Sequence, residues 1–337
     1  MKYLSLFSGI GGFELGIQQA YEDYRSTRPL SSPEEVGHGG STSSDRDNGS
    51  TQPKQASCIG FSEIDKYAVQ IYQRHFPEHK NYGDITKIIT SELPAFDLLV
   101  GGFPCQAFSI AGKRRGFDDT RGTLFFEIAR ILRDKQPRLF LLENVKGLLS
   151  HDNGRTFSTI IATLDELGYD LQWQVLNSKN FGVPQNRERV FIVGHLRGTS
   201  RPQVFPVTQG SRSDIAQLNR PRHSNSRVYS TDGIGPTLNT AQGGNRQPFI
   251  TNPKMMNHKK DYENSVAITA TSYKEPPVVS GIRRLTPTEC ERLQGFPDGW
   301  TEGVSDTQRY KCLGNAVTVN VIEEIARRLL FNKWNYR

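Results

Sequence analysis

The chain has 337 residues and a formal net charge of +7, with 42 lysine and arginine residues against 35 aspartate and glutamate residues. Its length is sufficient for one large domain or two modest domains with a buried core. No stretch approaches the roughly 18 apolar residues of a membrane span, and the first residues lack the apolar segment of a signal peptide, so we expect a cytoplasmic protein. The positive charge favours a polyanionic partner, although an excess of this size is also common on other soluble enzymes.

The first predicted unit is a strand, a glycine-rich loop and a helix. Tyr3–Phe7 is predicted as a buried strand, Ser8–Gly12 as a tight turn and Phe13–Tyr24 as a helix. Such a loop lets the backbone approach a ligand closely and directs helix amides at a carboxylate or phosphate. Glu14 stands where the dinucleotide fingerprint has its third glycine, which favours a ligand smaller than a pyrophosphate cofactor.

The next segment is an insertion followed by a second strand and helix. Residues 25–57 are rich in Ser, Gly, Pro, Asp and Arg, and 26–48 lack apolar periodicity, which predicts a mobile surface insertion. Ile59–Glu63 is predicted as a strand, and Asp65 is a suitable cap for a helix over Lys66–His75.

Two acidic positions in this part of the chain suit a nucleoside. Glu63 ends the second strand, where its carboxylate can accept hydrogen bonds from both ribose hydroxyls or serve only as a loop charge. Asp84 stands beside Ile85, a combination that suits the amino group and ring of adenine. Taken alone, neither the assignment of Glu63 to the ribose nor that of Asp84 and Ile85 to the adenine is favoured over an ordinary structural role.

One cysteine follows a predicted strand end. Leu98–Val100 forms an apolar strand pattern that continues into two glycines, and Pro104 fixes the backbone directly before Cys105. Cys105 is therefore a candidate nucleophile, the alternative being a buried and inert thiol. The four cysteines lie far apart in sequence, which predicts reduced thiols and neither a metal site nor a disulfide: Cys58, Cys105, Cys290 and Cys312.

A carboxyl group is predicted at the same sheet edge. Leu139–Asn144 is a buried strand pattern that carries Glu143 near its end. Addition of a thiolate to carbon 6 of cytosine makes carbon 5 nucleophilic, and a carboxyl group with a raised pKa can protonate ring nitrogen 3. A cysteine hydrolase is the rival chemistry, but the histidines occupy no recognisable Cys-His motif.

The ordered motifs between Leu6 and Asn320 resemble those of DNA cytosine-5 methyltransferases of the bacterial or phage type. The resemblance implies an α/β fold, namely a Rossmann-like S-adenosylmethionine-dependent methyltransferase sheet, mixed and mostly parallel, with a smaller, loop-rich target-recognition domain. It also implies S-adenosylmethionine as the cofactor. The positions implied to bind it are Phe7, Ser8, Gly9, Ile10, Gly11, Gly12, Glu63, Ile64, Asp84, Ile85, Pro104, Leu124, Asn315 and Val317.

The same resemblance assigns the catalytic and DNA-binding residues. Cys105 is implied to be the nucleophile and Glu143 the acid. Arg187 and Arg189 are implied to bind the target base and the nearby backbone, with Arg187 as the closer contact to the cytosine. The DNA contacts expected are Gln106, Ser109, Arg227, Gln242, Asn245 and Arg246.

Two helices are predicted near the end of the chain. Thr286 can cap a helix with Pro287 at its first position and Glu289 three residues on, a capping box, with Gly295 at the exit. A second helix, over Val319–Phe331, is expected to return to the first domain.

The region between these parts is polar, loop-rich and basic. From Arg197 to Lys274 there are 11 basic residues against four acidic ones, a net +7. The resemblance places the target-recognition region in this part of the chain and so implies a catalytic domain over 1–195 plus 312–337 and a recognition domain over 196–311, with duplex DNA in the cleft between them.

The expected activity is methylation of a flipped-out cytosine in a short DNA sequence by a monomeric modification enzyme. A cognate restriction endonuclease would act separately. A transfer-RNA cytosine-5 methyltransferase and a non-catalytic DNA-binding relative are the alternatives.

Overall fold

The computed structural model describes residues 1–27, 56–104, 124–199, 202–207, 228–230, 235–238, 249–251 and 283–331. The helices are α1 Gly12–Ser26, α2 Lys66–His75, α3 Leu124–Lys135, α4 Arg155–Glu166, α5 Pro287–Gln294, α6 Asp306–Asn315 and α7 Val319–Phe331. The strands are β1 Lys2–Leu6, β2 Ser57–Ser62, β3 Leu98–Gly102, β4 Leu139–Val145, β5 Tyr169–Asn177, β6 Gln185–Asn186, β7 Glu188–Leu196, β8 Val228–Ser230, β9 Gly235–Pro236, β10 Phe249–Thr251 and β11 Arg283–Arg284.

A six-stranded sheet in the order β2-β1-β3-β4-β7-β5 forms the centre of the molecule. The strands β2, β1, β3 and β4 run parallel to one another, whereas β7 is antiparallel to both β4 and β5. The prediction of a mixed, mostly parallel sheet is confirmed. The chain enters at β1 and adds strands on either side of it, so a crevice opens at the carboxyl ends of β1 and its neighbours, where ligands of such sheets bind.

Both faces of the sheet are covered, as the alternation of its apolar residues requires. In β4, Leu139 and Leu141 belong to a core with α1 and α7, while Phe140 and Leu142 belong to a second core with α3 and α4. A third apolar cluster joins α2, α5 and α6 to the start of α1. Strand β4, in the middle of the sheet, is therefore buried on both faces.

Parts of the segment predicted as a recognition domain pack against the sheet domain. Val204, Phe205 and Val207 lie in the core formed with α1 and α7. Leu285 and Trp300 lie in the third cluster together with residues of α1 and α2. The two-domain division at 196–311 remains a prediction.

Several predicted helix ends are confirmed. The Asp65 carboxylate accepts hydrogen bonds from the amides of Tyr67 and Ala68 at the start of α2. At α5, Thr286 and Glu289 form the capping box, and Gly295 ends the helix in the left-handed conformation with φ +79°. The helix predicted over Val319–Phe331 coincides with α7.

The insertion is shorter at both ends than its predicted range of 25–57. Helix α1 continues through Ser26, and the amide and hydroxyl of Thr27 both donate to the Asp23 carbonyl, which closes the last turn. Strand β2 already begins at Ser57 because its backbone pairs with β1. Residues 28–55 lie outside the described part of the chain.

Among the described residues, no helix combines the length and the apolar character needed to cross a membrane.

Candidate active site

A cavity of about 520 Å³ opens at the carboxyl ends of the parallel strands. It brings together residues predicted for the cofactor and residues predicted for catalysis. A second, solvent-open cavity of about 650 Å³ lies beside α1 and α7 and contains none of the predicted site residues. The first cavity is lined by Phe7, Gly9, Glu63, Gly102, Phe103, Pro104, Glu143, Asn144, Val145, Arg187, Arg189, Leu238, Gly314 and Asn315.

The glycine-rich loop between β1 and α1 forms one wall of the cavity. Its backbone enters the left-handed region at Phe7, Gly9 and Gly11, with φ values of +53°, +55° and +89°. A side chain at Gly11 would place its Cβ 2.7 Å from the Phe76 ring, so this position requires glycine for space as well as for conformation. At Gly9 the space within 4 Å of such a Cβ is open, which leaves room for a ligand.

Glu63 ties the second strand end to this loop. Its Oε2 atom accepts a hydrogen bond from the Gly9 amide at 3.0 Å, and Oε1 accepts from the amides of Ile64 and Asp65 at 2.8 Å. The Ile64 side chain is 76% exposed beside it, an unusual position for an aliphatic residue and one that suits contact with a flat ring.

The remaining predicted cofactor residues fall into different environments. Asp84 caps a short 3₁₀ turn by accepting from the amide and hydroxyl of Thr86, and these bonds lower its pKa. Ile85 is buried in the core, and Leu124 begins α3 at its edge. None of these three lines the cavity, whereas Asn315 does; Val317 is buried beneath the loop.

Glu143 brings a buried carboxyl group to the cavity. It follows the apolar residues of β4 and is 8% exposed. Burial raises the pKa of Glu143 above its usual 4.5, while the neighbouring charges of Arg189 and Arg187 lower it in part. The Glu143 Oε1 atom lies 3.0 Å from Arg189 Nε. A carboxyl group in this environment keeps its proton to a higher pH than an exposed glutamate does.

Asn144 connects Glu143 to the turn that precedes the predicted nucleophile. Its Nδ2 atom donates to the Phe103 carbonyl at 2.9 Å, and its Oδ1 atom accepts from the Val145 amide at 2.8 Å. Asn144 is buried, so these bonds fix the end of β4 against the end of β3. The sequence pattern places Asn144 beside the acid but gives it no role of its own.

The two arginines of the Gln185–Arg189 motif have different surroundings. Arg187 is 2% exposed and donates to the carbonyls of Leu238, Gly314 and Ala316 at 3.3, 3.1 and 2.8 Å. Burial lowers its pKa to about 9, so the guanidinium remains charged at neutral pH.

Arg189, in contrast, contacts Glu143 directly. Of the two arginines, Arg189 is therefore the one in direct contact with the acid. The expectation that Arg187 is the closer contact to the cytosine stays a prediction.

Seven predicted site residues lie outside the described part of the chain: Cys105, Gln106, Ser109, Arg227, Gln242, Asn245 and Arg246. The described backbone ends at Pro104, which lines the cavity directly before Cys105. In the described residues no three His, Cys, Asp or Glu side chains are grouped as a metal site.

Leu238 is a site residue to which the sequence pattern assigns no role. Its amide donates to Gln185 Oε1 at 3.0 Å, and its carbonyl accepts from Arg187. The neighbouring Thr237 hydroxyl donates to the Asn186 carbonyl, and β9 pairs with β6. This short segment is therefore fixed to the motif that carries the two arginines.

Comparison with known proteins identifies the family of the chain. The family model for C-5 cytosine-specific DNA methylases matches residues 1–330. The Type II methyltransferase M1.ScrFI of Lactococcus lactis subsp. cremoris is 38% identical, with 98% of this chain and 78% of the relative covered. The Type II methyltransferase M.NlaX of Neisseria lactamica is 37% identical, with 97% of this chain and 96% of the relative covered.

A solved structure of similar fold comes from an insect. The crystal structure of a Spodoptera frugiperda DNMT2 mutant superposes with a TM-score of 0.67 and 20% identity, covering 98% of this chain and 99% of that one. The expected methyltransferase fold is thus confirmed. Together with the match over residues 1–330, the comparisons show that the chain belongs to the C-5 cytosine-specific DNA methylase family.

Proposed function

We propose that the protein transfers a methyl group from S-adenosylmethionine to carbon 5 of a cytosine within a short sequence of duplex DNA. The observation that carries this proposal is the position of Glu143, a buried carboxyl group beside Arg189, in the same cavity as the glycine-rich loop and Pro104. The relatives named Type II methyltransferases support a role as the modification enzyme of a restriction–modification pair.

The side of the cavity formed by the glycine-rich loop and Glu63 is suited to S-adenosylmethionine. The open space at Gly9 lets the ligand approach the backbone, and the Glu63 carboxylate beside it suits ribose hydroxyls. The exposed side chain of Ile64 and the cavity-lining ring of Phe7 offer apolar surface for adenine. S-adenosylmethionine, when bound, supplies an activated methyl group. Other predicted cofactor residues do not line the cavity and are proposed to support this side of it from behind: Asp84, Ile85, Leu124 and Val317.

The chemistry on the base requires a nucleophile and an acid. In the proposed mechanism the Cys105 thiolate forms a bond to carbon 6 of the cytosine, and Glu143 supplies a proton or hydrogen bond to ring nitrogen 3. Electron density then rises at carbon 5. After carbon 5 has been methylated, it loses its proton, the carbon–sulfur bond breaks and the thiolate leaves.

The arginines take separate parts in this scheme. Arg189 holds the Glu143 carboxyl and faces the cavity, which suits a contact to the extruded base. Arg187 maintains the cavity floor through its three carbonyl contacts. We propose that Asn144 orients the turn from which Cys105 follows.

Access to the base requires that the cytosine leave the helix stack, because the reacting carbon is otherwise covered; DNA methyltransferases as a class extrude their target base in this way. The basic stretch from Arg197 to Lys274 supplies charge for phosphate contacts, which position the DNA without selecting its sequence. Gln106 and Ser109 are proposed to occupy the vacated space or grip the backbone. Arg227, Gln242, Asn245 and Arg246 are proposed to contact the target sequence.

The experiment that tests the proposal is bisulfite sequencing of unmethylated genomic DNA after incubation with the purified protein and S-adenosylmethionine. We expect protection of cytosines in one short motif, and its loss in Cys105→Ser. Cys58→Ser is the matched control because Cys58 lies on β2, away from the cavity. A parallel sample of transfer RNA separates the alternatives: methylation of RNA alone, or of neither substrate, would contradict the proposal.

A further inference from the structure

The back of the glycine-rich loop packs against an aromatic block formed by His75, Phe76, Phe296 and Trp300. A Cβ atom at Gly11 would lie 2.7 Å from the Phe76 ring, and one at Gly12 would lie 3.3 Å from the Phe296 ring. Trp300 Nε1 donates a hydrogen bond to the Ile10 carbonyl at 2.9 Å. The loop is therefore held between the cavity on one side and aromatic rings on the other.

The aromatic block fixes the orientation of Trp300. The His75 ring stacks on the indole with the ring centroids 3.6 Å apart and the planes 5° apart. His75 Nε2 also lies 2.7 Å from the Trp300 carbonyl oxygen, which it can reach as a donor. The Phe296 ring packs on the same indole with the centroids 5.3 Å apart. Because Trp300 is 7% exposed, its N–H direction is set by this packing.

The hydrogen bond from Trp300 acts on one peptide group of the loop. The carbonyl of the Ile10–Gly11 peptide accepts from Trp300, and its N–H donates to the Ser8 carbonyl at 3.1 Å. Both polar atoms of this peptide are thereby engaged. The positive φ values at Gly9 and Gly11 permit other peptide orientations, so these bonds select one of them.

The same loop faces the proposed cofactor. Phe7 and Gly9 line the cavity, and the Gly9 amide is bonded to Glu63. A change in the Ile10–Gly11 peptide would move the Gly9 amide and the first turn of α1, since these groups are adjacent in the chain. Removal of the indole N–H would also leave the buried Ile10 carbonyl without this donor.

We propose that Trp300 is a positioning residue for S-adenosylmethionine, whose indole N–H holds the glycine-rich loop in the conformation that receives the ligand. The inference rests on the proposed function, since it names the ligand of that cavity. It assigns a part in cofactor binding to a residue that does not line the cavity and lies nearly 300 residues from the loop in sequence.

The test is titration calorimetry of S-adenosylmethionine with Trp300→Phe, which retains an aromatic ring against His75 and removes the N–H. We expect the Kd to rise about 5- to 30-fold, the range for loss of a buried hydrogen bond. The KM for S-adenosylmethionine should rise in proportion, while kcat at saturating ligand stays near the wild-type value. A residue that served stability alone would lower the melting temperature without this separation of KM from kcat.

Trp173→Phe is the matched control, because Trp173 is 48% exposed on β5 and outside the cavity. It should bind S-adenosylmethionine as the wild type does. A folded Trp300→Phe with wild-type affinity would overturn the inference and leave the proposed function intact. Failure of the wild type to bind S-adenosylmethionine would overturn both.

A second variant covers the case in which Trp300→Phe does not fold. Replacement of Trp300 by 3-benzothienylalanine keeps the bicyclic shape and exchanges the N–H for sulfur. We expect the same loss of affinity as in Trp300→Phe. Wild-type affinity in this variant would overturn the inference.

Discussion

The two walls of the cavity achieve their geometry by opposite means. The wall formed by Glu143, Arg187 and Arg189, here called the charged wall, depends on ionisable side chains placed in a buried environment. The wall formed by residues 7–12, here called the loop wall, depends on backbone groups and on positions where a side chain is missing. Removal of a functional group should therefore impair the charged wall, whereas addition of an atom should impair the loop wall. The effects are measured as losses of rate, stability or ligand affinity.

The largest effect is expected at Glu143. Glu143→Gln keeps the size of the side chain but cannot donate an acidic proton, so the single-turnover rate should fall by about 10²–10⁴. Burial raises the pKa of Glu143, so the wild-type enzyme keeps the acidic proton to a higher pH than an exposed glutamate would. The rate should fall when the pH exceeds this raised pKa, because Glu143 then loses its proton. Methyl transfer from labelled S-adenosylmethionine measures both quantities.

Glu188→Gln provides the control for Glu143→Gln. Glu188 begins β7 and pairs with Lys146 at the surface. Its replacement should leave the rate unchanged. Equal rates for the two variants would contradict the role of Glu143.

We expect Arg187 to contribute mainly to stability and Arg189 mainly to the reaction. Arg187→Met removes the hydrogen bonds to three buried carbonyl groups, of which that of Ala316 keeps another donor, Gln294, and should lower the free energy of unfolding by about 2–4 kcal/mol. Arg189→Met removes a contact to a carboxyl group that can take up a proton, so it should cost less stability while reducing the rate. Urea unfolding compares the two, and an equal loss of stability would refute the division.

Addition of one methyl group tests the loop wall. Gly11→Ala and Gly168→Ala share a backbone with φ near +90°, but only the Cβ at position 11 meets a neighbour, the Phe76 ring at 2.7 Å. Gly11→Ala should therefore lose about 1–3 kcal/mol more stability than Gly168→Ala, and should bind S-adenosylmethionine more weakly. Thermal unfolding with calorimetry measures both. Indistinguishable variants would show that the loop wall tolerates the added atom.

A second buried glutamate lies behind the loop wall and should make stability depend on pH. Glu14 is 1% exposed, and the hydroxyls of Ser5 and Tyr72 lie near its carboxylate. Burial raises its pKa from 4.5 to about 7, which the nearby Ser5 and Tyr72 hydroxyls only partly offset. Unlike Glu143, it has no arginine beside it among the groups that shift its pKa.

The folded protein thus binds a proton at Glu14 that the unfolded chain releases near pH 4.5. The stability from this group is fully present below 4.5 and is lost as the pH rises through about 7. Over that window we expect the wild type to lose about 3 kcal/mol relative to Glu14→Gln, because a change of one unit in pKa corresponds to about 1.4 kcal/mol. Melting curves at several pH values measure the difference, and parallel pH profiles of the two proteins would contradict it.

Local elements were accessible from sequence because their signals are local. The cap at Asp65 and the capping box at Thr286 each involve residues within three positions of one another. The apolar runs of β3 and β4 predicted two neighbouring strand ends in the same way. The fold class was predicted from the order of the motifs, which resembles that of a known family.

Contacts between residues that are distant in the chain could not be predicted from the sequence. Nothing near Trp300 in the chain indicates that its indole meets the Ile10 carbonyl, because the packing of α2 and α5 brings them together. Arg187 and Arg189 are separated by one residue and look equivalent in sequence. Their different surroundings follow from Leu238, Gly314 and Ala316, whose carbonyls accept hydrogen bonds from Arg187.

The packing of α1 against α7 also has a consequence for how the chain is made. Gly16 approaches Ile322 so closely that a Cβ would lie 2.7 Å from it, and Tyr24 stacks on Phe331 with the centroids 4.1 Å apart. At about 5–20 residues per second, a ribosome reaches α7 roughly 15–60 s after α1. During that interval the apolar face of α1 has no permanent partner from α7. The part of this face that α7 covers therefore stays without that partner until synthesis is nearly finished.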